Sequence, residues 1–356
     1  MTTTSANAMR TSVRRQAGLS MIELMVAIAI GLFLLIGLVS VFATSNRAYM
    51  ELGRASQQIE NGRFAVQLLT DDISLAGFYG RYSLQLTVPG VLPDPCETAN
   101  MAALRNAAAF AVQGYDAPAS SPITTCLPAA NHLAGTDVLV VRRASSAIAA
   151  SNPPVASIPG GALVATSIYM QANPDPTSSS NPIVAVAGGT PNSVFVLRNR
   201  DGTTLAPVRQ YEVHIYFVAP CSVPNGGGSV CTGASDDGGS PIPTLKRLEL
   251  TANNTMTVVP LVEGIENLQV DYGIDTDGDG VPNGAYVTAP AAVTDWANVV
   301  AVRVNVLARN LETTGGFTDT KVYDMGVAGT LSPGGAYKRH VYNAVIRVVN
   351  PSSRRE

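Results

Sequence analysis

Residues 19–43, LSMIELMVAIAIGLFLLIGLVSVFA, form an unbroken apolar run of 25 residues in which Glu23 is the one charge. As a helix rising about 1.5 Å per residue, the run spans roughly 37 Å, enough to cross a hydrocarbon layer of about 30 Å with some tilt. Arg10, Arg14 and Arg15 precede it, and no acid does. The positive-inside rule then puts residue 1 in the cytoplasm and the chain beyond Thr44 outside the inner membrane, a single pass. A secretory signal would instead have a shorter apolar region of about 7–15 residues followed by small residues at its cleavage site. Here the small residue, Gly18, stands before the apolar run. A cut at that point removes the basic leader, residues 1–18, and leaves the apolar helix on the mature protein.

Glu23 carries the next inference. A carboxylate inside a membrane span is costly, so a partner is expected. Cleavage after Gly18 creates an α-amino group on Leu19, and Glu23 lies four positions later on the same helical face. The two charges can compensate within one chain or, better, between neighbouring chains, where they also set the register of stacked helices.

From Leu52 onward Ala55, Ile59, Gly62, Val66, Leu69, Ile73 and Ala76 recur in steps of three and four, one apolar seam on a continuing helix. No proline falls between Leu19 and Val88, and Gly77 closes the pattern. The expected spine is therefore a transmembrane half, residues 19–43, and an extracytoplasmic half, residues 44–77.

Gly18-Leu19-Ser20-Met21-Ile22-Glu23-Leu24, after a basic leader and before a long apolar helix, resembles the class III prepilin signal of type IV pilins and pseudopilins. The resemblance implies that a prepilin peptidase cuts after Gly18, that Leu19 is N-methylated and that Glu23 serves filament assembly. Starting at Met9 would shorten the leader to ten residues. Ile59-Glu60-Asn61-Gly62-Arg63-Phe64-Ala65, the following Leu68–Ile73 stretch and Ala76-Gly77-Phe78-Tyr79-Gly80 resemble the PilW family of minor pilins. Trp296–Asn310 and Arg339–Asn350 resemble that family too. It implies a pilin-like α+β fold, a long helix packed on an antiparallel β-rich domain, residues 78–356. Its implied partners are other minor pilins and the major pilin, met through the helix, and its implied outcomes are pilus assembly and twitching motility.

After Gly80 the helical period gives way to short β-like runs between Gly, Pro, Ser and Asn clusters. Strands are expected at Asp137–Arg142, Val194–Arg198, Tyr211–Val218, Leu245–Leu250, Ile265–Ile274, Val299–Leu307 and Val341–Val349. In the third, Tyr211, Val213, Ile215 and Phe217 alternate with Glu212, His214 and Tyr216, which predicts a half-buried strand with His214 on its solvated face. Linkers are expected at Ser145–Pro159, Asn173–Pro182 and Pro220–Pro243. Only 14% of residues are charged and net charge is −3, so no basic surface points to nucleic acid. Cys96, Cys126, Cys221 and Cys231 are even in number in an exported chain, which suggests two disulfides. Three connectivities are open, and local pairs are favoured because each closes a Gly/Pro-rich loop.

Asp275, Asp277 and Asp279, with Gly280 after them, match the start of a calcium loop, although Tyr286 stands where a bidentate Glu is expected. Asp271 or Asp295 would have to complete the shell, and an Asp/Gly-rich turn between strands explains the same residues. His132, His214 and His340 are scattered, the Asp71-Asp72 pair reads as a solvated helix end, and no nucleophile elbow or P-loop occurs. An enzyme is not expected. Two alternatives keep the membrane anchor: a minor pseudopilin of a type II secretion system, and a calcium-dependent adhesin.

Overall fold

The computed structural model describes residues 18, 20–81, 86–149, 163–164, 166–173, 182–186 and 194–355. Leu19, the rest of the basic leader and most of the two expected linkers Ser145–Pro159 and Asn173–Pro182 lie outside these. The chain forms two compact units, Met1–Gly53 and Arg54–Glu356.

Helix α1 runs Met21–Ser74 without a break. In the first unit its apolar side chains are uncovered: between Ser20 and Met50 every described residue except Gly31 is exposed. Among the described residues this is the one helix long and apolar enough to cross a membrane.

In the second unit, the end of α1 supplies one wall of the main core. Ala65, Leu69, Ile73 and Ala76 are fully buried beside Val270, Val302, Val304 and Val306. Fully burying a side chain such as Leu69 or Ile73 stabilises by about 1.5–3 kcal/mol. The buried stripe also takes in Gln58 and Asp72, while Leu52 and Ile59 of the expected seam stay exposed. The stripe keeps Gly62, Leu69, Ile73 and Ala76 of that seam and is wider than it because α1 reaches backbone groups as well as side chains. Gln58 Nε2 donates to the Ala308 carbonyl at 2.9 Å, and Asn61 Nδ2 to that of Glu263 at 3.0 Å. Gly62 lets the helix come close, since a Cβ there would lie 2.1 Å from the Tyr342 ring. Past Ser74 the helix unwinds into a turn that ends at Gly77, whose φ of +71° suits glycine. The chain's C-terminal segment caps that end: Asn350 Nδ2 donates to the Ala76 carbonyl at 3.2 Å and Arg354 Nη1 to that of Gly77 at 3.1 Å.

A seven-stranded antiparallel sheet is built from β1 (Val112–Tyr115), β2 (Val138–Ala144), β3 (Ile168–Gln171), β4 (Ile183–Val186), β5 (Val208–Ala219), β6 (Thr244–Thr251) and β7 (Thr255–Glu263). β5 is its axis. Residues 211–216 pair with β2 on one side, while 208–210 pair with β3 and 214–219 with β6 on the other. A second sheet holds β8 (Ile265–Ile274), β9 (Val299–Arg309) and β12 (Arg339–Arg347) in the order β12-β9-β8. A two-strand ribbon, β10 (Tyr323–Asp324) with β11 (Thr330–Leu331), completes the strands described. The α+β arrangement of a long helix and an antiparallel β domain is therefore present.

Two expectations need correction. β5 is buried on both faces rather than one: Val213, Ile215 and Phe217 enter one core, and Tyr216 and Val218 enter the core shared with α1. His214 is consequently buried, not solvated. Val194–Arg198 is not a strand, and only Arg198 bridges to Leu205. The Gln171 side chain takes the backbone of this stretch instead, accepting from the Leu197 N–H at 2.9 Å and donating to its carbonyl at 3.2 Å. Disulfides join Cys96 to Cys126 and Cys221 to Cys231.

Candidate functional site

The helix start is organised by two residues. The Ser20 backbone N–H donates to Glu23 Oε2 at 2.9 Å, and the Glu23 N–H donates to Ser20 Oγ at 3.3 Å. This is a reciprocal capping box, which satisfies two N–H groups that the first turn would otherwise leave open. Ser-x-x-Glu at positions 20–23 is the local signal for this box, and it gives Glu23 a second role beside that of counter-charge for Leu19. Gly18 is exposed just ahead of the cap, and Leu19 lies outside the described residues.

The other end of α1 carries a polar clamp within the second unit. Asp72 is 6% exposed. Its Oδ1 accepts from Arg143 Nε at 2.7 Å; its Oδ2 accepts from Tyr216 Oη at 2.8 Å and lies 2.7 Å from His214 Nδ1. Arg143 also reaches Glu212 at 2.5 Å. Burial opposes ionisation of Asp72, but His214 and Arg143 more than offset it and hold the carboxyl well below its usual range. The expectation of a solvated Asp71-Asp72 pair is therefore half wrong: Asp71 is exposed and Asp72 ties the helix to β2 and β5. No local signal marks Asp72, because its partners lie about 70 and 140 residues away.

The acidic loop after β8 is brought together. One carboxylate oxygen from each of Asp275, Asp277 and Asp279 lies within 4.8 Å of the others. Asp275 is buried and already engaged: its oxygens accept from the Gly278 and Gly280 N–H groups at 2.6 and 3.0 Å and pair with Arg355 at 3.2 Å. Burial opposes its charge, and those two N–H groups with Arg355 still lower its pKa. Asp271 and Asp295 do not complete a shell. Asp271 is bound to Arg303 at 2.7 Å, and Asp295 accepts the Ala292 N–H that opens the short helix Val293–Trp296. His132 faces the Thr136 carbonyl at 3.0 Å, and His340 stacks edge-on against Tyr342. Neither joins a cluster.

A long helix with a capped, exposed apolar half, and its other half clamped to a β domain, is the organisation of a pilin-type subunit, with an apolar half long enough to cross a membrane. A family model described as Prokaryotic N-terminal methylation motif matches residues 13–39, and one described as Type IV Pilus-assembly protein W matches residues 231–350. The chain is a PilW-like type IV pilin with a class III prepilin signal. That family is structural, and its members work with other pilus components. No curated protein and no solved structure matches the chain.

Proposed function

We propose that this chain is a minor pilin that helps initiate or cap a type IV pilus and so supports pilus biogenesis and twitching motility. The observation that carries the reading is the pairing of a methylation-motif N terminus with a PilW-matched head on one chain. In this reading prepilin peptidase cuts after Gly18 at the cytoplasmic side of the inner membrane, Leu19 is methylated, and residues 19–43 hold the subunit in a single pass. The Leu19 amine and Glu23 carboxylate of adjacent helices then compensate each other as the subunit packs against other minor pilins and the major pilin. The Asp275–Asp279 loop is a separate proposal, a Ca²⁺ site, supported by the closeness of its three carboxylates.

The capping box gives the test its resolution. Glu23→Gln keeps a side chain able to cap Ser20 but removes the charge, whereas Glu23→Ala removes both. Pili are counted and twitching zones measured in cells carrying each variant, beside a deletion strain in which protein secretion is also followed. The reading expects both variants to lose piliation as the deletion does, with secretion retained. Normal pili in Glu23→Gln would refute the charge pairing. Lost secretion with normal pili in the deletion strain would replace the pilus reading with the type II secretion one.

A further inference from the structure

Strand β12 lies at the edge of its sheet, paired with β9 on one side only. Two backbone bonds bracket that pairing: the Val348 N–H donates to the Val300 carbonyl at 2.8 Å, and the Asn310 N–H to the Lys338 carbonyl at 3.0 Å. Antiparallel bonding alternates along a strand, so His340, Tyr342, Ala344 and Ile346 turn their backbone groups to β9. The N–H and C=O groups of Val341, Asn343 and Val345 therefore point away from the sheet, and no described residue bonds them.

The other edges carry devices that keep a strand from pairing with a foreign chain. β1 and β4 are four residues long, and β7 has Pro260 at a register shift. The outer edge of β8 is covered: the Asp137 N–H donates to the Leu268 carbonyl at 2.9 Å, and Tyr272 and Val287 exchange two bonds at 2.8 and 3.0 Å. β12 has none of these. Its nine residues keep one register along β9 and include no proline, and residues 341–346 carry no charge. Val345 is 65% exposed. Such an edge is a template for an added strand.

The surroundings select that strand. Asn61 of α1 reaches the Glu263 carbonyl next to β8, so at 3.6 residues per turn Ile59 and Arg63 project from the opposite flank, toward the free edge. On the other face of β12, Lys321 and Val322 line a cleft of about 500 Å³ with His340, Val341 and Asn343. Arg63 and Lys321 are exposed and form no ion pair among the described residues, and Arg347 stands at the far end of the strand. The acid in the cleft, Asp324, accepts the Gly326 N–H at 3.0 Å, and the helical period turns Glu60 away from the sheet. The border of the edge is thus net positive. A second copy of β12 would set these cations against themselves, whereas an acidic strand meets opposite charge.

We propose that the β12 edge binds an extended acidic segment of a partner protein, which adds as a strand against Val341, Asn343 and Val345.

The test uses the full chain in lipid nanodiscs and two labelled peptides, Glu-Glu-Val-Thr-Val-Glu-Glu and its counterpart with lysine for glutamate, titrated by fluorescence anisotropy. The acidic peptide binds about tenfold tighter than the basic one, because exposed ion pairs form in one complex and are opposed in the other. It also slows hydrogen exchange at the Val341, Asn343 and Val345 N–H groups. Val345→Pro removes an outward N–H without touching a bond to β9, and it abolishes binding while Tm holds. Arg63→Glu with Lys321→Glu leaves the edge backbone intact and reverses the order of the two peptides. Binding of neither peptide, equal binding of both, or acidic binding that survives Val345→Pro overturns the proposal. Self-association of the chain that competes with the acidic peptide also overturns it, by making a second copy the occupant.

Discussion

Replacing Asp72 by alanine removes the acceptor shared by Arg143, His214 and Tyr216 and leaves their polar atoms buried beside a void. Removing one partner of a buried ion pair costs about 3–5 kcal/mol. Arg143 keeps Glu212 as a partner, which places the expected loss near the low end, about 3 kcal/mol. For a domain of about 300 residues that lowers Tm by roughly 5 °C. Asp71→Ala is the matched control one residue away. Asp71 is exposed and accepts from Gln67 Nε2 within its own helix, so its loss stays within about 0.5 kcal/mol. The assay is thermal unfolding of the full chain in nanodiscs, with limited proteolysis to report detachment of the head from α1. A second readout is pH. The Asp72 carboxyl is depressed below its ordinary 3.8, so the stability it contributes is complete above about pH 4 and is lost as pH falls further. Wild type therefore loses stability more steeply than Asp72→Asn below that point. Equal Tm values for Asp71→Ala and Asp72→Ala would refute the clamp.

Four further outcomes follow from particular contacts. Gly62→Ala drives a methyl group into the Tyr342 ring and lowers stability by about 1–3 kcal/mol; an unchanged Tm would show that the ring swings aside freely. Breaking Cys96–Cys126, which spans 30 residues, destabilises by about 3.5 kcal/mol, more than breaking Cys221–Cys231, which spans 10. Paired Cys→Ser variants compared by denaturant unfolding check that order. Burial pushes the Asp137 carboxyl up to about 7 against the N–H groups of Ala117 and Val270. Its folded pKa lies above the unfolded one, so its stabilising term is full below about pH 4 and fades as pH rises through 7. Asp137→Asn should flatten that part of the stability profile, and an unaltered slope would contradict it. If the acidic loop binds Ca²⁺, calorimetry of the full chain gives a saturable heat that Asp277→Asn with Asp279→Asn abolishes; no heat, or heat that survives both changes, removes the proposal.

Features with a local period could be read directly from the sequence. The apolar helix, its closure at Gly77 and strands such as Ile265–Ile274 each carry their signal within a few turns or pleats. β7 was missed because Pro260 argues against a strand, and it is tolerated there only because β7 pairs on one side, with β6. β1 was missed for a similar reason: Gly114 weakens its pattern, yet the glycine is what admits the Tyr272 hydroxyl, to which a Cβ would come within 1.8 Å. The solvated reading of His214 failed because alternation cannot distinguish water from a second buried layer. The expected helix seam holds at Gly62, Leu69, Ile73 and Ala76, but the buried stripe is wider and takes in Gln58, Ala65 and Asp72 as well. Gln58 and Asp72 look like surface residues until the carbonyls and side chains they meet, far along the chain, are in place.

The central claim is that proteolysis after Gly18 exposes the Leu19 amine while keeping the apolar helix on the protein. Intact-mass and N-terminal analysis of chain purified from native membranes tests it most directly. The account predicts a mature protein that begins at N-methylated Leu19. Functional material that still carries residues 1–18 would contradict it.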